Sequence, residues 1–140
     1  ADLEYNPKDL KNLIRKSVED PGCLVLGSRF LGKEFRKNLY IRTYIANKFL
    51  SKLFSIVYRV KLTDIASCYK IIPYESFKNY DFTSKGFTIE IELLTKFLKS
   101  SNRIFELPIS YRGRSYKEGK KIKLLDGFKY IFIIFYFKKI

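Results

Sequence analysis

The chain has 140 residues, 46% of them apolar and 17% aromatic, and a formal net charge of +14. That length is one domain's worth, and the apolar share can fill a core. The complete absence of His excludes imidazole acid–base catalysis and His-ligated zinc, and the charge excess asks for polyanionic partners: phosphates, nucleic acid or an acidic lipid surface.

The chain opens with Asp2 and Glu4, an acid pair two residues apart, before Asn6-Pro7. Asn at an N-cap followed by Pro at the first helical position starts a helix. Leu10, Leu13, Ile14 and Val18 continue it at helical spacing until Pro21-Gly22 ends it. Cys23 to Leu26 is a continuous apolar run closed by Gly27, which predicts a strand buried on both faces. Residues 28–38 read as a basic loop. From Leu39 to Tyr58 the spacing predicts a helix about 30 Å long, with Ile45, Phe49, Leu53, Ile56 and Val57 on the core face.

A connection over 61–66 leads to a second strand, Ser67 to Ile72, stopped by Pro73. A short helix over 75–80, a helix over 87–99 and a strand over 103–112 follow. Pro108 places that last strand at an edge or a bulge. Asp126-Gly127 precedes a final helix from Phe128, whose segment Tyr130 to Phe137 is apolar all round. That segment is too short to span a bilayer and reads as a buried element, the start of a membrane segment, or an interfacial anchor flanked by Lys129, Lys138 and Lys139. Strands alternating with helices predict an α/β layer architecture with a mostly parallel sheet in one domain. Cys23 and Cys68 both lie within apolar runs and read as buried free thiols of a reducing compartment.

The positive charge is concentrated. Residues 29–61 hold nine Lys and Arg against one acid, and 112–140 hold nine against two. Several residues in or near these blocks carry possible chemistry. On an extended backbone, Asp2 and Glu4 point the same way and can hold a hard divalent cation; a surface acid pair looks the same. Arg29 follows Gly27-Ser28 at the carboxyl end of a buried strand, where its planar fork suits a phosphate; a solvated loop arginine would read no differently. Asp64, after Thr63, either caps a turn or faces a substrate. The Ser67 hydroxyl could bond a phosphate or its own backbone. Arg114 and Lys120 belong to a Gly-containing basic loop that could neutralise a transferring phosphate or lie free on the surface.

In order, Asp2-Leu3-Glu4, Gly27-Ser28-Arg29-Phe30, Thr63-Asp64-Ile65-Ala66-Ser67-Cys68-Tyr69-Lys70 and Arg112-Gly113-Arg114-Ser115-Tyr116-Lys117-Glu118-Gly119-Lys120-Lys121-Ile122 resemble the second half of a family-2 glycosyltransferase, the dolichol-phosphate-mannose-synthase-like branch. The resemblance implies a nucleotide-diphospho-sugar transferase (GT-A-like) fold: a mixed, mostly parallel sheet flanked by helices. It makes residues 1–140 the C-terminal portion of the catalytic domain, without the nucleotide-binding N-terminal half. The first Asp of the family's metal-binding triplet would fall immediately before Ala1.

On that resemblance, Asp2 corresponds to the metal-binding second Asp and Glu4 to the donor-side residue two further on, and the cofactor would be Mg2+ or Mn2+. Arg29, Ser67, Arg114 and Lys120 would hold the acceptor phosphate, and Asp64 would act as base or position the donor. The implied activity is inverting transfer of a sugar from a nucleoside-diphosphate sugar to a polyprenyl phosphate. Its setting would be an anionic membrane surface, cytoplasmic and peripheral or membrane-associated, with no nucleic acid involved. A hydroxyl acceptor, or a small basic nucleic-acid-binding module of another class, are the competing expectations.

Overall fold

The computed structural model of the chain describes residues 4–32, 36–37, 40–101, 103–113 and 124–139. Asn6 starts the fold as the spacing predicts. Its side-chain oxygen accepts the Lys8 amide at 3.0 Å and opens a short 3-10 turn, Pro7–Asp9, that runs into α1 (Leu10–Glu19). Leu13 is the buried residue of α1, while Ile14 and Val18 stay exposed. Gly22 takes the turn at φ +84°, a conformation that costs an L side chain strain, and the chain enters β1 (Leu24–Ser28).

All five residues of β1 are buried, as an unbroken apolar run requires of a central strand. It lies between β3 (Lys70–Ile71), which runs antiparallel to it, and β4 (Ile104–Pro108), which runs parallel with Leu24 opposite Ile104 and Ser28 opposite Pro108. The result is a small mixed sheet. A second, two-stranded parallel sheet joins β2 (Arg36–Lys37) to β5 (Tyr111–Arg112).

Strand alternation divides the core into two layers. Leu24 and Leu26 face one layer, with Leu50 and Phe54 of α2 (Ile41–Tyr58), Ile91, Leu94 and Phe97 of α4 (Ile89–Ser100), and Tyr130 and Ile134 of α5 (Leu124–Lys139). Cys23 and Val25 face the other, thinner layer with Leu13 and Ile109. At Gly27 the backbone approaches Ile109 and Tyr69 so closely that a Cβ would meet the Ile109 side chain at 2.9 Å.

Several expectations need correction. On α2, Ile45, Phe49 and Ile56 are exposed; the core takes Leu50 and Phe54, with Leu53 and Val57 half-buried. The helix is apolar on more than one side, so periodicity alone does not select the stripe that meets α5. The second strand shrinks to Lys70–Ile71: its expected first residue, Ser67, closes a turn, its amide donating to the Asp64 carbonyl at 3.4 Å. Cys68 is an exposed free thiol, whereas Cys23 is buried. A two-residue strand, β2, interrupts the basic loop, and the short helix α3 is confined to Tyr74–Phe77. The strand over 103–112 splits at Ile109 into β4 and β5, with Pro108 ending an edge strand. The final helix begins at Leu124, before Phe128. Among the described residues no helix is long and apolar enough to cross a membrane.

Candidate functional site

The site gathers at the carboxyl end of β1, where the connection over 61–67 folds back over the sheet. Ser28 and Thr63 share a hydroxyl–hydroxyl hydrogen bond of 2.6 Å. The Arg29 backbone amide donates to Asp64 Oδ2 at 2.9 Å, its Nε donates to the same oxygen at 2.7 Å, and its Nη2 donates to Oδ1 at 2.8 Å. Both residues are buried, Asp64 completely. Burial works against the guanidinium charge, but the bonds and charge of Asp64 outweigh it and raise Arg29 above the ordinary arginine range. This bidentate geometry is the strong form of an ion pair.

Under this pair lies Glu106, at the middle of β4. Its carboxylate accepts the Thr63 amide at 2.9 and 2.8 Å and the Asp64 amide at 3.0 Å. Burial pushes the Glu106 carboxyl above its usual range; the amide bonds pull it back and the Asp64 charge adds to the rise. On the other side, the Arg29 guanidinium carbon sits 5.1 Å from the centre of the Tyr111 ring, within cation–π range. The Tyr111 hydroxyl donates to Glu4 Oε2 at 3.2 Å, and burial pushes that hydroxyl up to about 12, Glu4 contributing. Tyr5 stacks on Tyr69 with ring centres 4.8 Å apart, meets Tyr111 edge-on at 5.4 Å, and accepts the Cys68 amide at 3.4 Å through its hydroxyl.

The structure therefore brings Glu4, Arg29, Asp64 and Ser67 into one region. Glu4 joins Arg29 through Tyr111, and the Glu4 carbonyl is tied to the Arg112 amide at 2.8 Å. Ser67 is buried at the end of the same turn, where its hydroxyl accepts the Tyr69 amide at 3.4 Å. Asp2, Arg114 and Lys120 lie outside the described residues. Sequence reading missed Tyr111, Tyr5 and Glu106. The signal for Glu106 was present: it is the one acid in the otherwise apolar β4 run Ile-Phe-Glu-Leu-Pro. Nothing in the local sequence singles out Tyr111.

Beside the site, an open groove of about 670 Å3 runs along α2 to Thr63. Ile45, Phe49 and Leu62 form apolar wall, and Lys48, Lys52 and Lys61 supply cations. Among the described residues there is no group of three or more His, Cys, Asp or Glu that could hold a metal ion.

No family model matches the chain. A curated relative, the uncharacterized protein MJ1222 of Methanocaldococcus jannaschii, is 24% identical over 134 residues, which is 94% of this chain and 55% of the relative. The chain thus spans about half the length of the curated relative it matches.

Proposed function

We propose that the chain is the C-terminal portion of an inverting, GT-A-like family-2 glycosyltransferase domain that transfers a sugar from a nucleoside-diphosphate sugar to a polyprenyl phosphate at an anionic membrane surface. The observation that carries this reading is the convergence of Glu4, Arg29 and Asp64 at the carboxyl end of β1. In open α/β sheets that end is where ligands bind. The adjoining groove supports the lipid part of the reading, because an apolar wall flanked by lysines suits a molecule with a hydrocarbon chain and an anionic head.

Both carboxylate oxygens of Asp64 are engaged by Arg29, which suits a positioning role better than that of a base. An acceptor phosphate arrives ionised and needs no base, whereas a hydroxyl acceptor does. The reaction would be a direct displacement. The acceptor phosphate oxygen forms a bond to the anomeric carbon as the bond from that carbon to the diphosphate breaks, with inversion. Arg29, Ser67, Arg114 and Lys120 would orient the acceptor phosphate and screen its charge from that of the donor. Carboxylate oxygens suit a hard cation, so Asp2 and Glu4 would hold Mg2+ or Mn2+, whose contribution is to neutralise the leaving diphosphate.

Membrane attachment would use α5, which leaves Phe128, Phe132, Phe135 and Tyr136 exposed among Lys129, Lys138 and Lys139. The deciding experiment assays sugar transfer to polyprenyl phosphate by the complete gene product, beside Asp2→Ala and Arg114→Ala. Loss of transfer in both variants is expected; wild-type turnover in both removes these residues from the mechanism. The high charge would equally serve nucleic acid, and tight, salt-sensitive binding of random oligonucleotides without any response to polyprenyl phosphate would favour that reading.

A further inference from the structure

Glu106 has no role in the transfer chemistry above, yet it is a carboxylate set into an apolar strand, and burial opposes its charge. Its two oxygens take the consecutive amides of Thr63 and Asp64. Those amides open an irregular turn, with no helix or ladder to satisfy them. The same turn is tied twice more to the neighbouring strand, by the Ser28–Thr63 hydroxyl pair and by the Arg29–Asp64 ion pair. Glu106 pairs in register with Leu26, two residues before Ser28, so the three ties come from β4, from the last residue of β1 and from Arg29 just after it.

We propose that Glu106 is a positioning residue of this site: it fixes the Thr63–Asp64 peptide so that Asp64 holds the Arg29 guanidinium in a single orientation. Nη1 of Arg29 is not part of the pair with Asp64. A guanidinium is planar, so fixing Nε and Nη2 fixes the direction in which Nη1 donates. The inference rests on the reading of Arg29 as a group on the acceptor-phosphate side. It adds that the aim of Arg29 is set from β4, through two main-chain amides.

The test follows hydrogen exchange at Arg29 Nε–H by NMR in the 140-residue chain. Glu106→Ala leaves both amides without their acceptor and should speed that exchange roughly tenfold or more. Glu106→Gln keeps one acceptor oxygen and should show a smaller change. The amides between β1 and β4 should stay protected in both, and Glu75→Gln, at an exposed acid on α3, should leave Arg29 unaltered. If Glu106→Ala does not fold, Glu106→Gln alone carries the comparison. Unchanged Arg29 exchange in the folded variants overturns the proposal.

In the transfer assay, Glu106→Gln should raise KM for polyprenyl phosphate several-fold and keep kcat within about twofold. A loss confined to kcat, or no change in either constant, overturns the role in the site. A wild-type protein without transfer activity would count against the proposed function alone; the exchange experiment would still decide the case of Glu106.

Discussion

At the scale of single residues, the Arg29–Asp64 pair combines burial with full charge. Removing one partner leaves the other charge buried without compensation, which costs about 3–5 kcal/mol. Asp64→Asn should therefore lower unfolding stability by that amount in urea titrations, and an unchanged midpoint would show that water reaches the guanidinium. Gly27→Ala tests packing instead. Its Cβ would press on Ile109 and Tyr69, and an overpacked core position costs about 1–3 kcal/mol. Sequence reading found Arg29 and Asp64 as separate candidates for phosphate and substrate. Their mutual pairing was not legible, because 35 residues separate them and only the fold brings Thr63 over Ser28.

Glu92 gives a pH prediction with a definite sign. It is completely buried on α4 and accepts the amides of Thr83 and Ser84 while pairing with Lys96. Burial opposes its ionisation, but those bonds prevail and hold its carboxyl below the ordinary value of 4.5. A depressed carboxyl contributes stability above its unfolded pKa and loses it as pH falls through the folded one. Urea midpoints should therefore drop as pH is lowered below about 4.5. Glu92→Gln should be less stable at neutral pH and should show less of this acid-side loss.

At the scale of elements, β1 was readable from its unbroken apolar run, and α1 from Asn6-Pro7, because both signals are local. The orientation of α2 was not. Its outer face carries Ile41, Ile45, Phe49 and Ile56, and the choice between two apolar faces is made by α5, more than 60 residues away. β3 is shorter than the run from Ser67 to Ile72 suggests, because Ser67 closes the turn from Asp64 instead of joining the ladder. In α5, buried and exposed aromatics alternate around the helix, and substitutions should separate the two. Ile134→Ala opens a cavity in the main core and should cost about 2–5 kcal/mol in unfolding experiments. Phe132→Ser alters an exposed position, should leave stability nearly unchanged, and should weaken sedimentation with anionic vesicles.

At the scale of the whole molecule, the charge pattern is the clearest sequence-level signal. The +14 excess lies in two blocks, and α2 and α5, which belong to them, pack against each other. Attraction between cations and anionic lipid is screened over about 10 Å at 0.1 M salt. Vesicle binding should consequently weaken steeply with added salt and be far lower on neutral lipid. Binding indifferent to both would leave the charge without a part in membrane attachment. A sheet flanked by helices was foreseeable from strands alternating with helices, whereas the antiparallel pairing of β3 with β1 was not. The β2–β5 pairing was not, since two-residue strands carry no periodicity.

The register of the central sheet has a kinetic consequence. Leu24 meets Ile104 across a separation of 80 residues, with α2, α3 and α4 in between. Closing so distant a pairing is entropically expensive early in folding. During synthesis β3 and the helices before it can reach β1 first, but the other hydrogen-bonding edge of β1 must wait uncovered until β4 leaves the ribosome. The polypeptide is at greatest risk of self-association in that interval, when its central strand still has one open edge.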